Sequence, residues 1–222
     1  MSYGKIRASS MPPSLKHEKK IWKQGKSFVA GVDEVGRGAL AGPLVAAAVI
    51  LPRNLKIPGL NDSKKLSFQQ REKLFPKIKK VAIAIGIGQV SHRIIDKINI
   101  GQANLLAMKK AVENLKVKPD YLLIDGERNK VDLAIAQKGI CKGDARCVSI
   151  AAASIIAKVT RDQIMIKYAK KYPQYFFEQH KGYGTQKHLE AIQRHGPCPI
   201  HRRSFFPFAL LAQTDSSPMY NL

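Results

Sequence analysis

Two adjacent carboxylates, Asp33 and Glu34, stand in the run GVDEVGRGALAGP at positions 31 to 43, at the end of an apolar, strand-like segment. Anions at the edge of a core repel each other and lose hydration, so they call for a cation between them, and a divalent metal is the strongest candidate. The step that follows, Gly36-Arg37-Gly38, brings bare backbone amides and one guanidinium to the same place. Such a step suits a phosphate. Asp125 closes a second apolar run, Tyr121 to Gly126, and Asp144 stands just before a long helical pattern, placed to be a fourth ligand. Hard oxygen ligands with no His or Cys in the set point to Mg²⁺ or Mn²⁺. Two such ions about 3.5 to 4 Å apart can activate an attacking water and stabilise the departing oxygen of a phosphodiester. Carboxylates for metal and amides for phosphate together point to phosphodiester chemistry.

This reading carries a geometric condition. Side chains at successive strand positions face opposite ways, so Asp33 and Glu34 can share a metal site only if the strand bends or ends there, which Gly36 and Gly38 permit. Plainer roles stand beside the chemical ones: Asp144 as a helix N-cap, Asp162 as a salt-bridge partner on a helix surface, and Lys64 and Lys65 as solvated charges after Asp62.

The elements that must position these residues are visible as periodicity. Residues 28 to 34, 44 to 51 and 81 to 90 are β-compatible, the last with Val81, Ile83, Ile85 and Ile87 on one face. Ser67 caps a predicted helix running to about Lys80, and helical pattern dominates from Ser91 to Lys116. After the break at Lys118-Pro119 come strand-like runs at 121 to 126 and 132 to 137, then a helix from about 147 to 171. Its opening residues Ala151, Ala152, Ala153 and Ser154 are small enough to approach a sheet closely. Three strands in succession, then strands alternating with helices, predict an α/β fold with a mixed sheet under a helical layer. If the strands ending at Asp33 and Asp125 are parallel neighbours, the two acids sit side by side where ligands gather.

Composition narrows the partners. The 38 Lys and Arg against 16 Asp and Glu give a net charge of +22, the footprint of a polyanion binder. No apolar run reaches the roughly 20 residues needed to span a bilayer, and the first 27 carry no signal-like hydrophobic stretch. Nucleic acid and a cytoplasmic location are therefore expected, without a membrane. Residues 1 to 26 carry a net charge of +6 and read as a flexible basic arm, which leaves +16 on the body. Cys141, Cys147 and Cys198 are an odd set with no CxxC pair, which fits a reducing compartment. The segment 179 to 206 interleaves His180, Lys181, Lys187, His188, Arg194, His195, His201, Arg202 and Arg203 with Tyr183, Phe205 and Phe206. It reads as a nucleic-acid surface, its histidines lacking zinc-ligand spacing.

Taken together, these motifs resemble the ribonuclease HII family from about Val29 to Pro207, through GVDEVGRGALAGP, GLNDSKKLS, LLIDG, KGDARCVSIAAASIIAKVTRD, QHKGYGT and HRRSFFP. The resemblance implies a ribonuclease H-like fold, a mixed five-stranded sheet flanked by helices with a C-terminal helical region. It implies an endoribonuclease that cuts the RNA strand of RNA/DNA hybrids and nicks 5′ to single ribonucleotides in duplex DNA, leaving 3′-hydroxyl and 5′-phosphate ends. By the same resemblance Asp33, Glu34 and Asp125 hold Mn²⁺ or Mg²⁺, with Asp144 the fourth catalytic carboxylate. Gly36, Arg37 and Gly38 would sense the ribonucleotide 2′-OH, Tyr183 would stack on the following sugar, and Lys64 and Lys181 would contact phosphates or order the site. The GRG form separates the chain from ribonuclease HIII. Glu127, where the family commonly has Asn, departs from the pattern and adds a carboxylate near the metals. The expected organisation is an arm at 1 to 26, a catalytic domain at 27 to 211 and a disordered tail at 212 to 222, acting as a monomer. Against this stand a non-catalytic nucleic-acid-binding protein, and a nuclease or resolvase of the same fold indifferent to the 2′-OH.

Overall fold

The structure, a computed structural model, describes residues 12–206 and 208. Strand β1 (Val29–Val35) pairs antiparallel with β2 (Leu44–Ile50), which pairs antiparallel with β3 (Ala84–Val90). On the other side β1 pairs parallel with β4 (Tyr121–Asp125), and β4 with β5 (Ala136–Ile140), so the sheet runs β3-β2-β1-β4-β5. A mixed sheet is as the periodicity predicts, and its five strands are as the resemblance implies.

Alternate residues of β1 and β2 feed two cores. Ala30, Val32, Leu44, Ala46 and Ala48 pack under helix α3 (His92–Glu113), while Ala47 and Val49 pack with helices α2 (Phe68–Val81) and α4 (Val148–Lys171). The small residues opening α4 serve as expected, because the helix lies against β1 so closely that a Cβ on Gly31 would fall 2.1 Å from the Ser149 carbonyl carbon. On β3 the buried face is the glycine face: a Cβ on Gly86 or Gly88 would fall 2.0 Å from the Ala111 or Ala107 carbonyl oxygen of α3, while Ile83 and Ile87 stay exposed. The isoleucine alternation therefore marks the less buried side.

Helix α2 starts where Ser67 places it, in a reciprocal capping box with Gln70. Helix α3 breaks at Asn99, whose backbone turns to φ 64° and whose side-chain oxygen accepts from the Gln102 amide at 3.1 Å to restart the helix. The run predicted as a strand at 132 to 137 is mostly loop, with the ladder displaced to Ala136–Ile140. Gln137 explains the shift, since its side chain accepts from the Val131 amide at 2.9 Å and donates back to the Val131 carbonyl at 3.0 Å. Helices α5 (Phe177–His180) and α6 (Gln186–His195) form the C-terminal helical region with Leu40, Met165, Tyr175 and Ile200.

The arm expected at 1 to 26 is folded over much of its length. Residues 1 to 11 lie outside the described residues, but Ser14 donates its amide to Arg146 O at 3.1 Å, and helix α1 (Lys16–Trp22) follows. Ile21 is buried with Val29, Leu123, Ile140 and Ile150. Glu18, 1% exposed, accepts from the amide and hydroxyl of Ser149 at 2.9 and 2.8 Å, tying α1 to the first turn of α4. These two buried side chains outweigh the lysine-rich surroundings of a short helix. The tail expected from 212 also lies outside the described residues.

Candidate active site

Strand β1 pairs with β4 only as far as Val32 with Ile124, whereas its pairing with β2 continues to Val35 with Val45. Asp33, Glu34 and Asp125 therefore follow directly on the last parallel pair, beside an edge of β1 that β4 leaves open. Carboxylate oxygens of the three lie within 4.8 Å of one another. Strand β1 runs through both acids and ends at Val35, just before Gly36, and the open edge gives both carboxylates access to the same space.

The trio is electrostatically unsatisfied. Burial, then the charges of Glu34 and Asp125, hold Asp33 well above the usual carboxylate range. Burial also raises Glu34, opposed first by Arg37, whose Nη1 lies 3.5 Å from Glu34 Oε1. Asp125 is raised by burial and by the charge of Asp144, and lowered by the Gly143 amide, which donates to Asp125 Oδ1 at 2.6 Å. Glu34 Oε2 is buried without a hydrogen-bond partner. Three hard oxygen donors raised in common and one orphaned oxygen fit a divalent cation.

Asp144 lies in a 3₁₀ turn, Gly143–Ala145, and the N-cap of α4 is Cys147, so the N-cap reading of Asp144 does not hold. Asp144 is buried and bonds Lys64 Nζ at 3.0 Å. Burial pulls the Lys64 ammonium down, but the hydrogen bond and charge of Asp144, with Asp33 and Asp62, raise it overall. Lys64 thus reaches Asp144 at the edge of the acid cluster.

Gly36 is buried at φ 97°, and a Cβ there would fall 2.3 Å from Arg161 Nε. Nothing among the described residues approaches within 4 Å of a Cβ on Gly38, and Arg37 is half-exposed, so this turn presents an open face. Tyr183 pairs with Ala39 as an isolated bridge and lines one cleft with Glu34, Lys64 and Lys158. Lys181 is not brought in: its Nζ bonds the Glu178 carbonyl. Glu127 is exposed beyond the Gly126 turn and outside the group of three.

Several residues have roles that sequence reasoning missed. Arg161 and Arg202 are completely buried and paired with carbonyls rather than acids: Arg161 donates to Ala41, Pro43 and Lys181, and Arg202 to Arg37 and Gly42. Burial and the charge of Arg161 lower Arg202 to about 9. They clamp the segment after the glycine turn to the Tyr183 loop. Arg202, His188 and His201 are therefore interior groups, not the phosphate contacts expected of segment 179 to 206, whereas Lys187, Arg194 and Arg203 are exposed. Asp162 pairs with Lys158 at 2.8 Å, four residues back, but inside the protein. A buried arginine in a carbonyl-lined fold has no signature in composition.

A mixed five-stranded sheet with carboxylates gathered at the ends of β1 and β4, backed by α4, defines a metal-dependent nuclease of the ribonuclease H-like fold. The ribonuclease HII family model matches residues 30–207, and the chain belongs to that family. It is 57% identical over 189 residues to ribonuclease HII of Caldanaerobacter subterraneus, covering 85% of this chain and 78% of the relative. Ribonuclease HII of Bacillus thuringiensis is 56% identical over 198 residues, covering 89% and 76%. Among solved structures, ribonuclease H2 of Pyrococcus horikoshii superposes with a TM-score of 0.71 at 28% identity, over 84% of this chain and 98% of the other. The chain is an endoribonuclease, a phosphodiester hydrolase of the ribonuclease H class.

Proposed function

We propose that the chain hydrolyses the RNA strand of RNA/DNA hybrids and nicks duplex DNA 5′ to a single embedded ribonucleotide, leaving 3′-hydroxyl and 5′-phosphate ends. Its duties on this reading are removal of ribonucleotides and of RNA primers. The observation that carries it is the convergence of Asp33, Glu34 and Asp125 within 4.8 Å, next to the glycine turn and Tyr183.

Asp33, Glu34 and Asp125 hold the metal, Mn²⁺ or Mg²⁺, and Asp144 completes the catalytic carboxylates under the control of Lys64. Two divalent ions, when bound, supply Lewis acidity toward the attacking water and counter-charge for the departing oxygen. Gly38 leaves room for nucleic-acid backbone to press against the turn, where main-chain groups can meet a 2′-OH. Arg37 offers an exposed guanidinium to phosphate, and its charge opposes the burial that raises Glu34. Tyr183 packs its ring against the sugar after the ribonucleotide, and Lys181 joins the phosphate contacts once its bond to Glu178 opens. Residues 27 to 211 form the catalytic domain, and the lysines of the N-terminal segment add non-specific attraction for the duplex. The protein works as a monomer in the cytoplasm. No described helix is long and apolar enough to cross a membrane, and Cys141 is an exposed free thiol, which suits a reducing compartment.

The test is cleavage of a duplex carrying one ribonucleotide, with Mg²⁺, with Mn²⁺ and with chelator, beside an all-DNA duplex. A metal-dependent nick on the 5′ side of the ribonucleotide alone is expected. Cutting of the all-DNA duplex at a comparable rate would overturn the 2′-OH reading.

A further inference from the structure

Behind the Tyr183 loop lies a pair of imidazoles that the mechanism does not use. His188 and His201 are 0% and 1% exposed, surrounded by the rings of Tyr175, Phe177 and Phe208. Their Nε2 atoms are 3.1 Å apart. His201 Nδ1 meets the Cys198 amide at 2.9 Å, and His188 Nδ1 meets the Tyr183 carbonyl at 2.9 Å. The Cys198 carbonyl lies farther from His201 Nδ1, at 3.2 Å, and already accepts from the His201 amide at 3.0 Å.

These contacts favour one order of protons. A backbone N–H can only donate, so His201 Nδ1 accepts from Cys198 and its proton sits on Nε2. That proton is donated to His188 Nε2, which is therefore bare, and His188 must carry its own proton on Nδ1. A carbonyl can only accept, so the Nδ1 proton goes to Tyr183 O. The chain of bonds runs in one direction with every member satisfied. It also argues against a metal here: a protonated Nε2 on His201 cannot ligate, and among the described residues the only metal-compatible group of three is that of Asp33, Glu34 and Asp125.

We propose that His201 and His188 are positioning residues for Tyr183, fixing the carbonyl of that residue, and so the placement of its ring, from the Cys198–His201 turn. The inference rests on Tyr183 touching the substrate. The surroundings explain why a relay is placed here. Both ends of it pair with the same extended stretch, Tyr183 bridging Ala39 and His201 bridging Ala41, with the Gly182 carbonyl accepting from Leu40 at 2.8 Å. That stretch continues directly from Gly36-Arg37-Gly38. Among the described residues, the Tyr183 carbonyl meets, apart from the relay, only the Thr185 amide of its own loop, at 2.8 Å. The relay therefore links the wall that reads the sugar to the turn that reads the 2′-OH. Burial is the first cause lowering His188 to about 4 and His201 to about 3, so both rings stay neutral and the proton order persists near neutrality.

The discriminating pair is His188→Leu and His188→Asn. The two replacements have nearly the same shape, but the Asn amide nitrogen falls where imidazole Nδ1 was and can still donate to Tyr183 O. The readout is the ratio of kcat/KM on a single-ribonucleotide duplex to that on a continuous RNA/DNA hybrid, with melting curves to confirm folding. His188→Leu should lower this ratio about fivefold, the size of one net hydrogen bond, and His188→Asn should recover most of it. Tyr183→Ala should lower the ratio at least as far, and His188→Leu should add nothing in that background. An unchanged ratio in folded His188→Leu, while Tyr183→Ala changes it, overturns the relay and spares the Tyr183 reading. An unchanged ratio in Tyr183→Ala overturns both. Should His188→Leu fail to fold, long-range ¹H–¹⁵N spectra of the unmodified protein decide: a proton on His201 Nε2 together with one on His188 Nδ1 supports the relay, and any other distribution overturns it.

Discussion

Without metal, the carboxylate trio is a charge cluster that the fold holds against its own repulsion. Asp33 is the most buried member at 3% exposed, and its pKa is raised by burial and by Glu34 and Asp125. An acid whose folded pKa lies above its unfolded value stabilises fully below the unfolded value, and that contribution is lost as pH rises through the folded pKa. Glu34 and Asp125 are raised in the same direction. The metal-free protein is therefore expected to lose stability between mildly acidic and neutral pH, and Asp33→Asn should remove part of that loss. The substituted amide retains an oxygen to accept from the Glu34 amide, now 2.8 Å from Asp33 Oδ1, so the local backbone has no reason to move. Relieving a strained functional site commonly returns about 1 to 2 kcal/mol. For a chain of this size that is roughly 2 to 8 °C in melting temperature.

The assay is thermal unfolding in chelator at about pH 8 and about pH 5, repeated with Mn²⁺, alongside turnover on a single-ribonucleotide duplex. Asp33→Asn should melt higher than the parent in chelator at the higher pH, with the gap narrowing at the lower pH as the parent's carboxyls protonate. Mn²⁺ should raise the parent's melting temperature strongly and the variant's little, and turnover should vanish while duplex binding persists. A variant that melts at or below the parent in chelator at the higher pH would refute the repulsion argument. Retained turnover would refute the assignment of Asp33 as a metal ligand.

Gly38→Ala places its methyl in open space, so melting should be unchanged, while kcat/KM should fall at least about tenfold because substrate, not protein, occupies that space. Glu18→Ala orphans the Ser149 amide at the start of α4 and should cost about 1 to 2 kcal/mol by denaturant unfolding. Because burial raises Glu18 above its ordinary 4.5, its contribution falls as pH rises past that value, so this deficit should shrink toward neutral pH; a deficit that grows would refute the assignment. Replacing exposed Lys19, Lys20 and Lys23 by Gln should flatten the salt dependence of duplex binding by up to roughly 0.9 in log–log slope per lost phosphate contact, measured by titration. An unchanged slope would place this segment away from nucleic acid.

What the sequence makes legible here is what depends on local pattern. The strand ends at Asp33, Glu34 and Asp125, the Ser67 cap and the small-residue opening of α4 are all local, and all lie where they are expected. The sharing of one site by Asp33 and Glu34 is not local: it depends on β4 stopping short beside β1, which only strand order reveals. Helix α1 was hidden for a different reason. Seven residues rich in lysine carry no amphipathic signal, and Glu18 looks like a surface acid until Ser149 is brought to it from 131 positions away. Arg202, His188 and His201 were misplaced on the surface because composition reports the type of a side chain and not what encloses it. Arg202 is enclosed through the carbonyls of Arg37 and Gly42, on and just after the glycine turn that the sequence did display, and the two histidines by the rings of Tyr175, Phe177 and Phe208.

The distribution of acids explains how so basic a chain stays folded and still binds a polyanion. With 16 Asp and Glu against 38 Lys and Arg, pairing every cation with an acid is impossible. The acids are instead used where a neutral group would serve worse. Asp120 accepts from the Ser27 and Phe28 amides at the start of β1, Asp96 from the Arg203 and Ser204 amides, and Glu18 from Ser149 at the start of α4. Asp33, Glu34, Asp125 and Asp144 are gathered in the site. Even the buried guanidiniums of Arg161 and Arg202 are held by carbonyls. Among the ion pairs of the described residues, those of Arg37 with Glu34 and of Lys64 with Asp144 belong to the site. The fold is thus held by apolar burial and backbone-directed hydrogen bonds, both weakly screened by salt, while the excess of cations over acids gives the chain its attraction for a polyanion. Raising ionic strength should accordingly weaken duplex binding steeply at concentrations that leave the melting temperature nearly unchanged.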